Sequence, residues 1–128
     1  VRDRLAKKDT GGEMTLEEQN TQLYEFLERL GKPGCIFIDL RTPEEYEEGH
    51  LAGAINIPYD DLEKEQKRLS RQNRLFLYCD RGNVSLMACR DLKREGYKVT
   101  NLWGGVYALQ KAFRRMDQKF VDMIWKKN

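Results

Sequence analysis

The chain has 128 residues, of which 40% are apolar and 34% charged, enough for one globular domain with a single sizeable core. A net charge of +2 is too small to argue for a nucleic-acid binder, and no apolar run approaches the ~20 residues needed to span a membrane. Three cysteines (Cys35, Cys79, Cys89) are an odd count without metal-ligand spacing, which argues against a disulfide scaffold or zinc site and for a reducing, cytoplasmic setting.

The chain opens on Val1 rather than methionine, as a trimmed or excised segment would, and no signal-peptide pattern is seen. Residues 1–13 are polar and read as a flexible N-terminal arm, leaving residues 14–128 as a single domain. Thr15 and Glu18 form a capping-box signature, and Leu23, Phe26, Leu27 and Leu30 give the stripe of a core-facing helix. Gly31 and Pro33 stop it. The apolar run Cys35-Ile36-Phe37-Ile38 predicts a central parallel strand ended by Asp39. Thr42-Pro43-Glu44-Glu45 carries a cap, a proline at the first helical position and a capping-box glutamate, so a short helix should run to about Glu48.

Residues 54–57 predict a third segment of strand before Pro58, and residues 60–70 a mostly exposed helix. Leu75 to Tyr78 is the next buried strand. A helix from about Asn83 to Arg94, a strand over residues 97–102, a Trp103-Gly104-Gly105 turn and a basic helix from Val106 through Phe113 towards Trp125 complete the chain. Strands alternating with helices about every 20 residues predict an α/β sandwich, with a mainly parallel sheet covered by helices on both faces.

The centre of the sequence is Leu75-Phe76-Leu77-Tyr78-Cys79-Asp80-Arg81-Gly82-Asn83-Val84-Ser85. Strand, cysteine, polar loop and helix in that order put a thiol at the carboxyl edge of a strand and over a helix N-terminus. Converging backbone N–H groups and the helix dipole favour a thiolate or an anion there, so Cys79 is expected to be a nucleophile.

Two motifs make the chain resemble the rhodanese-homology domain. One runs from Asp39-Leu40-Arg41-Thr42-Pro43-Glu44-Glu45-Tyr46 into Gly49-His50-Leu51-Ala52-Gly53-Ala54-Ile55-Asn56-Ile57-Pro58. The other is Tyr78-Cys79-Asp80-Arg81-Gly82-Asn83-Val84-Ser85, followed by Gly96-Tyr97 and Leu102-Trp103-Gly104-Gly105. The likeness implies a three-layer sandwich with a mainly parallel five-stranded sheet. It further implies a thiosulfate sulfurtransferase in which Cys79 carries sulfane sulfur as a persulfide, from thiosulfate or a similar small anionic donor to cyanide or a thiol such as thioredoxin or glutathione. No metal or organic cofactor is implied. On the same likeness, the backbone from Asp80 through Arg81, Gly82, Asn83 and Val84 to Ser85 cradles the sulfur and the donor. Arg81 favours an anionic donor, and Arg41 is either a second anion-facing cation or the partner of Asp39. Ser85 bonds the sulfur or caps the helix.

His50, Cys35, Trp103 and Tyr107 read as packing residues, and Cys89 as a core hydrophobe too far along its helix to resolve a persulfide. Two rival readings stand beside the transferase. One is a non-catalytic interaction module. The other is a phosphatase or arsenate reductase of the same fold, disfavoured because Val84 and Ser85 occupy the end of the loop where those enzymes carry an arginine.

Overall fold

The computed structural model describes residues 14–128; the predicted arm over residues 1–13 lies outside them. The elements in order are α1 (Leu16–Glu28), β1 (Cys35–Asp39), α2 (Pro43–Glu48), β2 (His50–Leu51), β3 (Ile55–Asn56), α3 (Leu62–Glu65), β4 (Arg74–Tyr78), α4 (Asn83–Arg94), β5 (Lys98–Asn101), α5 (Gly105–Phe113), α6 (Gln118–Ile124) and β6 (Trp125–Lys126). Both predicted capping boxes form. Thr15 accepts from the Glu18 N–H and Thr42 from the Glu45 N–H, while each glutamate accepts from the backbone N–H of its threonine.

The central sheet is parallel with strand order β3-β1-β4-β5. Period-two alternation sends Phe37, Phe76 and Tyr78 to one face and Ile38, Leu75 and Leu77 to the other. Leu23, Phe26 and Leu27 of α1, with Val106, Leu109 and Ala112 of α5, cover the first face. Phe26 sets its edge against Phe37 and Phe76 at ring-centre distances of 5.1 and 5.5 Å, and Phe37 stacks on Phe76 at 4.7 Å. Ala88, Cys89 and Leu92 of α4, with Leu62 of α3, cover the second face. The result is an α/β sandwich of three layers.

The sheet has four strands among the described residues, not the expected five. The extra strand residues, His50–Leu51 and Trp125–Lys126, pair only with each other as a separate antiparallel ribbon. Each is two residues long, and the Ala52 N–H, which follows β2, donates to the Ile124 carbonyl rather than to a sheet strand.

Three predicted elements are also shorter or broken. Of residues 54–57 only Ile55 and Asn56 join the ladder. Residues 60–70 form a one-turn helix flanked by 3₁₀ turns at Tyr59–Asp61 and Gln66–Arg68, and the Tyr97 hydroxyl donates to the Gln66 carbonyl at 2.7 Å. The basic C-terminal helix is two helices, because Asp117 caps a new one through the Phe120 N–H. Among the described residues no helix is long and apolar enough to cross a membrane.

Candidate active site

The chain leaves β1 towards β3 on one side of the sheet, whereas β4 continues to β5 on the other. The carboxyl ends of β1 and β4 therefore flank a topological switch point, where open α/β sheets form their ligand crevices. Arg41 follows β1 and Cys79 follows β4, so the two motifs meet at this crevice.

Cys79 is 6% exposed. Its Sγ accepts from the Gly82 N–H at 3.2 Å and from the Ser85 N–H at 3.3 Å, and its thiol donates to Ser85 Oγ at 3.3 Å. Gly82 turns its amide inward from the left-handed region (φ 93°), where a side chain would be strained, and it also caps the N-terminus of α4. The positive end of that twelve-residue helix thus faces the sulfur. Two amides of the expected cradle, those of Gly82 and Ser85, reach Sγ directly. Ser85 is not the helix cap; its N–H and hydroxyl are turned to the sulfur, and the hydroxyl also to Asn101.

The loop is anchored from beneath. The carbonyls of Cys79 and Asp80 accept from the Val106 and Tyr107 N–H groups of α5 at 2.9 and 3.0 Å. This close approach requires Gly105, because a Cβ there would lie 2.6 Å from the Asp80 carbonyl oxygen.

Behind Ser85 stands a buried polar relay that the sequence reading missed. Ser85 Oγ–H donates to Asn101 Oδ1 in a short bond, and Asn101 Nδ2 donates to the Gly82 carbonyl at 3.4 Å. Asn101 so ties both ends of the cradle together. Gln22 of α1 fixes Asn101 in turn, donating to its backbone carbonyl at 2.8 Å and accepting from the Trp103 N–H at 3.1 Å. The available signal was the place of Asn101 at the carboxyl end of the strand beside β4.

The charged residues divide. Arg41 is buried against fully buried Asp39 with an N–O distance of 2.8 Å, and also donates to the Gly49 carbonyl. It sits in the wall of the crevice, with its guanidinium committed to that ion pair. Arg81 is exposed, its guanidinium carbon 4.2 Å from the ring centre of Tyr107. Asp80 and Asn83 are exposed and Val84 half-buried, all three at the mouth. Burial, and the hydrogen bond that its protonated form donates to Glu45, push the Asp80 carboxyl above its usual range. Glu45, although burial works to raise it, is held below the ordinary carboxylate range by the Thr42 N–H and by Asp80. The cleft in front of Cys79 measures about 430 Å³ and is lined by residues of both motifs.

His50 and Cys89, also singled out by sequence, do not line this cleft. His50 is buried, its Nδ1 2.7 Å from the Tyr46 carbonyl and its ring stacked on Tyr46 at 3.7 Å. Cys89 is buried on α4, and burial pushes its thiol up to about 12, which leaves it unreactive near neutral pH.

A cysteine whose Sγ accepts from two backbone N–H groups, in a strand-to-helix loop at the switch point of a parallel α/β sheet, defines the structural class of this site. The sequence profile of the Rhodanese-like domain matches residues 22–112, and the chain belongs to that family. Bacillus subtilis YrkF is 36% identical over 70 residues, 54% of this chain, and the match spans only 38% of that longer relative. Arabidopsis thaliana thiosulfate sulfurtransferase 16 is 33% identical over 91 residues, covering 61% of this chain and 76% of the relative. The crystal structure of a rhodanese-related protein from Thermoplasma volcanium superposes with a TM-score of 0.62 at 29% identity, over 70% of this chain and 85% of that one. The chain is thus a rhodanese-like domain with sulfurtransferases among its relatives.

Proposed function

We propose that this chain is a sulfurtransferase that carries sulfane sulfur on Cys79. The observation that carries the reading is the donor set at Cys79 Sγ, in which two backbone N–H groups and a helix N-terminus face a thiol at the floor of an open cleft. The Cys79 thiolate attacks the outer sulfur of thiosulfate or a similar donor. The S–S bond of the donor breaks, sulfite leaves with the bonding pair, and Cys79 holds a persulfide, R–S–S⁻. A thiolate, such as that of thioredoxin or glutathione, or cyanide then takes the outer sulfur and the Cys79 thiolate returns. The amides stabilise negative charge on whichever sulfur carries it at each stage, as an oxyanion hole does for oxygen. The cycle uses only thiolate chemistry, which suits a reducing compartment such as the cytoplasm; all three cysteines are free thiols.

The test is thiocyanate production from thiosulfate and cyanide. Wild-type protein should turn over by ping-pong kinetics, and Cys79→Ser should be inactive with an unchanged unfolding transition. Equal activity in Cys79→Ser would remove Cys79 from the mechanism.

A further inference from the structure

The charges around the cleft are poorly matched to a doubly charged donor. Three carboxylic acids, Glu45, Asp60 and Asp80, line it. Of the two guanidinium groups there, that of Arg41 is neutralised by Asp39 at 2.8 Å and that of Arg81 lies over the Tyr107 ring at 4.2 Å. Val84 turns an aliphatic side chain to the same cleft.

Asp80 directly follows the nucleophile, with its backbone fixed on α5 by the Tyr107 N–H. Its carboxyl and that of Glu45 on α2 line the same cleft beside Cys79, where a hydrogen bond between them shifts the two groups in opposite directions. Two carboxyl groups in that relation share one proton before both ionise and carry two negative charges once it is lost. The remaining charged groups acting on Asp80 are Arg41 and Asp39, an internally neutral pair; Arg81, next in the chain, lies over the Tyr107 ring.

We propose that the Asp80–Glu45 carboxyl pair is a charge filter on the sulfur donor, disfavouring dianions such as thiosulfate and admitting donors with a single negative charge, foremost a persulfide. This rests on Cys79 being the sulfur carrier. With a persulfide donor R–S–S⁻, the Cys79 thiolate attacks the outer sulfur, the donor's S–S bond breaks and R–S⁻ departs with the bonding pair. The transferred sulfur keeps its negative charge, giving Cys79–S–S⁻. Glu45 is thereby given a second duty beside capping α2.

The direction of the pH dependence follows. Asp80 is the member that accepts the proton, since its carboxyl is pushed up while that of Glu45 is held down. Below the titration of Asp80 the filter is half discharged; above it both members repel the donor.

The experiment compares kcat/KM for thiosulfate, a dianion, with that for benzenethiosulfonate, a monoanion with the same sulfane sulfur, in wild type, Asp80→Asn and Glu45→Gln. Glutamine at position 45 retains an acceptor for the Thr42 N–H, so α2 stays capped. For a carboxylate about 6 Å from the donor in water-like surroundings with physiological screening, Asp80→Asn should raise kcat/KM for thiosulfate about three- to tenfold, chiefly through KM. The gain for benzenethiosulfonate should be about the square root of that factor. Glu45→Gln should act in the same direction. The ratio of mutant to wild type for thiosulfate should approach one in acid and climb to a plateau as Asp80 ionises. Equal effects on the two donors, or none, would overturn the filter while leaving the carrier intact. Failure of every variant to load sulfur from either donor, read by intact mass, would overturn the carrier and the filter together.

Discussion

Replacing Ser85 by alanine tests how the sulfur is held. The substitution keeps the Ser85 N–H bond to Cys79 Sγ at 3.3 Å and the Gly82 N–H bond at 3.2 Å, but removes the hydroxyl 3.3 Å from the sulfur. In the thiol state that hydroxyl accepts from sulfur and donates to Asn101; once the thiol ionises it can rotate to donate to the thiolate. A hydrogen bond to a charged group is worth about 1.5–3 kcal/mol, and each ~1.4 kcal/mol is tenfold in rate. Ser85→Ala should therefore load sulfur at least tenfold more slowly in single-turnover experiments followed by intact mass. The same change orphans the buried Asn101 Oδ1, costing about 1–2 kcal/mol, or a Tm lower by about 4–8 °C. Ser85→Ala combined with Asn101→Leu removes both partners, so the pair should destabilise by less than the sum of the singles. Loading of Ser85→Ala within twofold of wild type, with additive stabilities, would refute both the bond to sulfur and the relay behind it.

Two further substitutions test the scaffold beneath the loop. Gly105→Ala places a Cβ against the Cys79 and Asp80 carbonyls at a residue with φ 56°, and should cost about 3 kcal/mol or more and depress sulfur transfer by shifting the cradle. Denaturant unfolding with a parallel assay reads both effects, and wild-type stability would contradict the close approach. Asp39→Ala leaves the buried Arg41 guanidinium without its carboxylate and should cost about 3–5 kcal/mol, read as a shifted midpoint at constant m-value. A loss below about 1 kcal/mol would mean that Arg41 finds another anion in the crevice.

Much of this architecture was legible in the sequence because its signals are local. Thr15/Glu18 and Thr42/Glu45 cap helices through neighbours three residues away, and the apolar runs at residues 35–38 and 75–78 needed only their own composition to be read as buried strands. The loop from Cys79 to Ser85 was placed for the same reason. What escaped depends on distant partners. Trp125 looks like the tail of an amphipathic helix, yet it becomes a strand because Leu51 pairs with it. Asn101 has no local signature; its role comes from Ser85 and Gly82 in the neighbouring loop and from Gln22, 79 residues earlier. The two readings of Arg41 could be separated only by the tertiary environment, which sets its guanidinium on Asp39. Likewise nothing in the sequence joins Asp80 to Glu45, which meet because β1 and β4 are adjacent.

The most direct test of the account is the intact-protein mass of wild type and Cys79→Ser after incubation with saturating thiosulfate and removal of excess donor. Wild type alone should gain one sulfur atom, lost again on adding cyanide or a thiol. A sulfur retained by Cys79→Ser, or a wild-type adduct that neither acceptor removes, would contradict it.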